Sequence, residues 1–496
     1  MIIRNSFAVK GILAVALVMF AAPARPAAAQ AAQEQSQAKT SYTIPEYNAF
    51  QAARAEKDAS ARIKLLDDFV SKFPNSTLLP YVYELYYPAY NELKDYPHAI
   101  EYADKVIALG DKVDAGARLQ AIQVRCQVFP AAFNAKAADA HDQLVKERDA
   151  AKQGAQLLET YPKPANLSDE QFAQQKKPGL AFFYSSAGFA DLQLKDYPAA
   201  IASFKSALTN NPNDAVSWYR LGLCYLSSAP APAATPAPAP AASATAAAPA
   251  GAAPAAAAPT SADDPMRLDG FWALARAINL KIPGDAQVKD YLKKQILAYE
   301  QPGCDSLADA QLNELLTLAG TTGDRPATYK IPSAADLNAI RSKSNILTVV
   351  SDLQGGGDTA KNTWLAICGA EFPDVVGKII DVQPGDGVTD FMAYTGATQD
   401  DMEKATVANM DVKVLTALKP GQTPPTTASG TQIQPQPDVS RLAKDDGVEF
   451  SGTLVSFDPT PFILHWDLVK VDPSSIPAKA DEGKHHKLPP KKGSGK

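Results

Sequence analysis

Histidines, cysteines and adjacent carboxylates are the groups in this 496-residue chain whose types could do chemistry. Of its five histidines, His98, His141 and His465 stand apart, and only His485-His486 form a short tract of the kind that takes a metal ion. Two ligands make a weak site, so solvated chemistry is expected there, and His465 beside Trp466 on a strand-like run is expected to be structural. Asp400-Asp401 and Asp445-Asp446 pair carboxylates as general acid–base chemistry would need. Both pairs fall in turn-like stretches, where a solvated charge run is the default. Gly355-Gly356-Gly357-Asp358 would cradle phosphate only with a following Lys-Ser/Thr, which is missing, so a turn is expected. The chain contains no G-x-S-x-G, H-E-x-x-H, P-loop or G-x-G-x-x-G pattern. No catalytic residue, metal or cofactor is expected, and function has to come from a surface.

Cys126, Cys224, Cys304 and Cys368 form no C-x-x-C pair, which argues against a zinc knuckle or a thioredoxin-like redox site. Up to two disulfides, in three possible pairings, stay open. Cys126 and Cys224 lie in apolar helical stretches and are expected to be buried small hydrophobes. The formal charge of −6 leaves no basic footprint over the body, and lysines cluster only at the end: Lys479, Lys484, Lys487, Lys491, Lys492 and Lys496. Such a tail can touch anionic lipid or nucleic acid through charge alone, but a solubilising role is expected.

The elements that must carry these residues show themselves by repetition. Leu-Lys-Asp-Tyr-Pro occurs at 93–97 and again at 194–198, each copy followed by x-Ala-Ile. The copies stand close to three periods of about 34 residues apart, the spacing of helical-hairpin repeats, which stack into surfaces that bind rather than react. From about 45 to 113 two hairpins follow apolar steps of three and four residues. Ile63, Leu66 and Phe69 mark the first; Tyr83, Tyr86, Tyr87 and Tyr90, then Ala99, Ala103 and Val106, mark the second. Residues 114–180 look helical around Leu119–Phe129 and Ala137–Tyr161, with Pro162–Pro178 read as a polar break.

From 181 the chain resembles the tetratricopeptide repeat (TPR) family. One unit reads Tyr184, Ala187, Gly188, Tyr197, Ala200, Phe204, Ala207 and Pro212. The next opens with Trp218, Leu221, Gly222 and Tyr225, the family's W-x2-L-G-x2-Y start. Gly188, Ala200 and Gly222 are small where paired helices must approach, and Pro212 stops a helix for want of an amide hydrogen. The resemblance implies that the first helix of each unit lines a groove. That helix offers Phe182, Ser185, Phe189 and Leu192 in one unit and Val216, Tyr219, Leu223 and Leu226 in the next. Phe182, Phe189, Tyr219 and Leu223 are the candidate protein-binding residues, suited to an extended or helical apolar peptide. They depart from the family members that clamp a C-terminal carboxylate with Lys and Asn. The alternative is that helices from 114–180, or after 265, cover this face as core.

An uncharged Ala/Pro tract at 229–262 interrupts the second of these units. Its prolines forbid regular helix, so a mobile, partly polyproline-II loop is expected. Helix resumes at Pro265, with Phe271, Leu274, Ala275 and Ile278 on one face. The tract therefore reads as an insertion inside a hairpin, at a loop-closure cost of roughly 2 kcal/mol; two domains joined at the tract is the rival reading. Helical character continues to about 325. From 333 to 476, short β-branched and aromatic runs alternate with turns, at Gly377–Val382, Asp390–Tyr394, Val412–Ala417, Val448–Phe457 and Phe462–Val471, which predicts a small β-rich domain plugged by Trp364 and Ile367. Gly447–Phe457 followed by Phe462–Trp466 resembles the late hairpin of OB-like barrels. Residues 477–496 are expected to be a disordered tail.

At the start, Arg4 and Lys10 precede the short apolar run Gly11–Phe20 and then small residues, which predicts a signal peptide over 1–29 cut after Ala27 or Ala29. That run falls short of the ~20 residues that span a bilayer. A flexible lead over 30–44 would follow. The expectation is a mainly α, TPR-like solenoid with a small, OB-like β domain, exported to the periplasm and without a transmembrane span. Its expected role is a non-enzymatic scaffold for a protein or peptide of the cell envelope, with no nucleic acid partner. The alternative is an OB-like barrel that binds oligosaccharide or nucleic acid; outward Trp466 and Phe450 would favour it, and burial of both would count against it.

Overall fold

The computed structural model describes residues 42–229 and 264–478. The expected signal peptide (1–29), nearly all of the lead (30–44), the Ala/Pro tract (229–262) after Ala229 and the tail (477–496) after 478 lie outside the described residues. The end of the lead belongs to a helix instead. The Thr43 side chain accepts from the Glu46 amide while Glu46 accepts from the Thr43 amide, a capping box that starts the first helix at Ile44. By internal contacts the described chain forms two units, one of 42–229, 269–289 and 319–324, the other of 264–268, 290–318 and 325–478.

The helices come in successive hairpins: α1 (Ile44–Ala55) with α2 (Ala59–Lys72), α3 (Leu79–Glu92) with α4 (Tyr96–Ala108), and α5 (Ala115–Ala132) with α6 (Ala140–Glu159). Then come α7 (Asp169–Gln193) with α8 (Tyr197–Asn210), α9 (Ala215–Ser228), α10 (Pro265–Asn279), α11 (Asp285–Glu300) and α12 (Leu307–Thr321). The repeated pentapeptide is the turn of a hairpin. Lys94 and Lys195 take left-handed backbone, φ 61° and 63°. This lets the amides of Asp95 and Asp196 reach back to the carbonyls of Tyr90 and Asp191, both at 2.9 Å. The same aspartates then cap the next helix, accepting from the amides of His98 and Ala199 at 3.4 and 3.3 Å. Pro97 and Pro198 sit in the first turn, where no amide hydrogen is needed. Leu280-Lys281-Ile282-Pro283 is a degenerate third copy: Lys281 has φ 60°, and the Ile282 amide reaches the Ala277 carbonyl at 3.1 Å.

The polar break expected at Pro162–Pro178 is only half a break. Ser168 and Gln171 form a capping box, and α7 runs from Asp169 straight through Pro178. An interior proline costs ~3 kcal/mol; burial of Phe172, Ala181 and Phe183 on the same helix offsets it. Within the helical unit α9 and α10 touch backbone to backbone. A Cβ on Gly222 would stand 2.8 Å from Leu274, and one on Gly270 would stand 2.8 Å from Leu226. Where α4, α5 and α6 meet, Arg125 is buried with Nε 2.6 Å from Asp104 and an Nη bonded to the buried Glu147. No spacing in the sequence signals that triad.

The first strand starts at Glu371, six residues before the run expected at Gly377–Val382, and helices precede it. Residues 333–368 form three short helices, α13 (Ala334–Lys343), α14 (Ile346–Gly355) and α15 (Gly357–Ile367). Capping boxes at Ser333 and Asn345 start the first two, and Gly356 and Gly357, at φ 70° and 66°, turn the chain between the last two. The barrel strands are β1 (Glu371–Pro384), β2 (Val388–Tyr394), β3 (Met410–Leu415), β4 (Gly447–Pro459) and β5 (Phe462–Val471), with the short helix α16 (Gln399–Lys404) between β2 and β3. They close in the order β1-β2-β3-β5-β4, with β3 and β5 parallel and every other pair antiparallel. Because β4 returns beside β1, the order is a Greek key, in keeping with the OB-like hairpin. Phe372, Phe391, Phe450 and Trp466 meet edge to face in its core, joined by Leu365, Ala366 and Ile367 of α15. Trp364 packs on that core only in part.

Candidate functional site

The first helices of successive hairpins are neighbours: α3 with α5, α5 with α7 and α7 with α9. The anticipated binding residues stand on two of them, Phe182 and Phe189 on α7 and Tyr219 and Leu223 on α9. The repeat positions of the same hairpins are core. Ala187, Ala200, Phe204 and Ala207 are buried, and Gly188 is pressed against the Phe204 ring, 2.9 Å from where its Cβ would be. The Trp218 indole donates to the Pro212 carbonyl at 2.9 Å and lies under the Arg276 guanidinium; Tyr225 lies under Lys205. Leu221 and Cys224 are buried alongside. Tyr184 is half-buried and donates to Glu159 at 2.6 Å.

Phe182, Phe189, Tyr219 and Leu223 are all half-buried, neither an exposed patch nor closed core. Phe182 leans on Phe183 at 5.4 Å and on the α5–α7 core. Phe189 rests on a cluster of Phe129, Leu144 and Ala190. The structure adds a residue that sequence reasoning missed. Arg220 of α9 places its guanidinium 4.7 Å from the Phe189 ring centre, which joins the two helices across the face. Among the described residues Arg220 makes no hydrogen bond and no ion pair. Burial lowers its pKa below the ordinary value, with Asp214 opposing. Burial likewise raises the Tyr219 phenol, against the pull of Arg220. The spacing of Arg220, four residues after Val216 and three before Leu223, puts it on the face those candidates share and could have pointed to it.

The other chemistry-bearing groups are occupied. Asp401 caps α16 with Thr398, and Asp400 pairs with Lys404 at 2.6 Å. Asp445 pairs with Lys378 at 2.9 Å. Asp446 is buried rather than solvated, and its carboxylate accepts from the Ala443 amide at 2.8 Å, a loop closure that the turn-like sequence hides. His465 bridges Asp411 and Asp458 at 2.9 and 3.0 Å across β3, β5 and β4. Cys126 and Cys224 are free and buried, and Cys304 is disulfide-bonded to Cys368. Among the described residues no His/Cys/Asp/Glu group could hold a metal ion, and no helix is long and apolar enough to cross a membrane.

No protein-family model matches the chain, and no curated protein matches it. Among solved structures it is similar to a thermophilic TPR protein of Thermus thermophilus, at 16% identity and TM-score 0.23, over 51% of this chain and 99% of that one. It is similar to the C-terminal part of a TPR repeat-containing protein from Cytophaga hutchinsonii, at 14% identity and TM-score 0.23, over 56% of this chain and 95% of that one. A third is the TPR2AB domain of yeast Sti1 in a complex with pHSP90, at 12% identity and TM-score 0.14, over 56% of this chain and 96% of that one. The helical array is TPR-like on its own geometry: stacked hairpins, a recurrent left-handed Lys turn with an Asp cap, and glycines where paired helices touch.

Proposed function

We infer that this chain is a non-enzymatic exported scaffold that binds a protein or peptide through the α7/α9 face, in assembly or maintenance of the cell envelope. The observation that carries the reading is Arg220. It is a half-buried guanidinium stacked on Phe189, flanked on α9 by half-buried Tyr219 and Leu223, with no carboxylate paired to it among the described residues. A partly buried unpaired charge favours an occupant that neutralises it. The fitting partner is a peptide with apolar side chains beside an acidic group. Export is supported by the leader-like residues 1–29 and by the Cys304–Cys368 disulfide, which suits an oxidising compartment.

A ligand-binding barrel has less support. Phe450 and Trp466, whose outward placement would have favoured it, are both buried, and the outer face of β2, β3 and β5 carries Asp390, Asp411 and Asp467, which repel phosphate. The test is a peptide array probed with the protein and with Phe189→Glu, Tyr219→Glu and Arg220→Gln variants, each checked by far-UV dichroism. Phe189→Glu and Tyr219→Glu should abolish binding, and Arg220→Gln should erase the preference for acidic over amide-matched peptides. Folded variants that bind as before would place recognition elsewhere.

A further inference from the structure

Within the second unit, α12, α15 and the end of β4 enclose a cleft of about 190 Å³ that shares no residue with the α7/α9 face. Pockets for drug-sized ligands start near ~300 Å³, so this one has room for about a single ring. Its sides are apolar, from Leu307, Ala360 and Leu365. Trp364 and Phe457 meet edge to face at 5.1 Å and form an aromatic wall. The Lys361–Glu314 ion pair stands in its lining as well.

One buried polar side chain interrupts this lining. Gln311 is 3% exposed, and its amide nitrogen donates to Glu300 Oε1 at 2.9 Å. Its amide oxygen makes no hydrogen bond among the described residues. Behind it Glu300 is fully buried, with Oε2 also unpartnered; burial pushes this carboxyl up to about 8, so it is neutral at physiological pH. Whichever way the amide is turned, Glu300 takes one of its polar ends and the other is left to the cleft. A hydroxyl, which both donates and accepts, satisfies either orientation, and a plain hydrocarbon satisfies neither.

The cleft is also held open. The disulfide Cys304–Cys368 ties the chain before α12 to the end of α15, and the Gly303 amide donates to the Leu365 carbonyl at 2.8 Å beside it. A Cβ on Gly303 would stand 2.1 Å from the Cys368 carbonyl oxygen, so only glycine allows this approach. Walls fixed in this way lose little freedom when a ligand enters.

We propose that this cleft is a binding site for a phenol group, its ring against Trp364 and Phe457 and its hydroxyl on Gln311. Edge-to-face walls favour an aromatic over an aliphatic occupant. Trp364 is the one tryptophan that is not buried, so its indole resonance reports on the cleft, assigned by its loss in Trp364→Phe. The full-length protein is titrated with p-cresol, with toluene, and with blocked Ala-Tyr-Ala and Ala-Phe-Ala peptides. The expected result is a saturable shift with p-cresol at about tenfold higher affinity than with toluene, the effect of one satisfied hydrogen bond. Gln311→Leu should erase that preference, and Ala360→Leu, which fills the cleft, should remove binding with far-UV dichroism unchanged. A matching response to the Tyr peptide but not the Phe peptide would identify a protein side chain as the source; a response to p-cresol alone would identify a free small phenol. No saturable shift with any phenol, equal affinity for p-cresol and toluene, or a preference that survives Gln311→Leu would overturn the proposal.

Discussion

Replacing Arg125 by Met should cost the helical unit about 3–5 kcal/mol, the range for breaking a buried ion pair from one side. Arg125 is 2% exposed and Glu147 1%, so water cannot solvate the carboxylate left behind. Asp104, at 39% exposure, can turn to solvent and adds little to the loss. Met keeps the apolar stem that packs near Phe129, so the change isolates charge from volume. In a unit of this size each kcal/mol moves Tm by roughly 2–4 °C, so melting followed by far-UV dichroism at neutral pH should drop by about 10 °C. Burial raises the Glu147 carboxyl from 4.5 to about 7, against the pull of Arg125. An acid whose folded value is raised contributes most stability at low pH and loses it as pH rises from about 4.5 to 7. The Arg125→Met deficit should therefore shrink at pH 5, where the orphaned Glu147 is neutral. The double change Arg125→Met with Glu147→Leu should recover most of the loss at neutral pH. A single variant within about 1 kcal/mol of the parent, or a double variant as unstable as the single, would refute the argument.

Three further outcomes follow from other contacts. Gly222→Leu should destabilise by about 1–3 kcal/mol and more than Tyr225→Phe, because its Cβ would meet Leu274 at 2.8 Å and the Gly270 carbonyl at 3.1 Å; equal small effects in thermal unfolding would show that α9 and α10 do not pack this tightly. Cys304→Ser with Cys368→Ser opens a loop with a sequence separation of 64, worth about 4 kcal/mol of unfolded-chain entropy, and urea titration of the second unit should show most of it. Burial opposes charge on His465, but hydrogen bonds to Asp458 and Asp411 outweigh it and raise its pKa. The stability it adds is present below the ordinary histidine pKa and fades as pH rises through the raised folded value, so melting should fall on the alkaline side. His465→Gln should flatten that dependence; an unchanged pH profile would mean that the bridge contributes nothing.

The hairpins, their turns and their core positions were legible in the sequence because each is a local requirement. A left-handed residue, an Asp cap and a first-turn proline must stand in that order, so Leu-Lys-Asp-Tyr-Pro recurs, and apolar steps of three and four residues name Ala200, Phe204, Trp218 and Tyr225 as core. Strand runs were legible for the same reason, through their β-branched residues and turn punctuation. The three helices over 333–368, which share the barrel's core, were not legible beyond the plug at Trp364 and Ile367, because short helices with mixed faces carry little periodicity. Distance along the chain hid the rest. Arg125 finds Glu147 across 22 residues, Cys304 finds Cys368 across 64, and Arg220 covers Phe189 from the next hairpin. Which side chains share a face follows from helical period alone; which charge is left unpaired, and what lies behind Gln311, depends on how separate elements pack, and only the folded chain decides it.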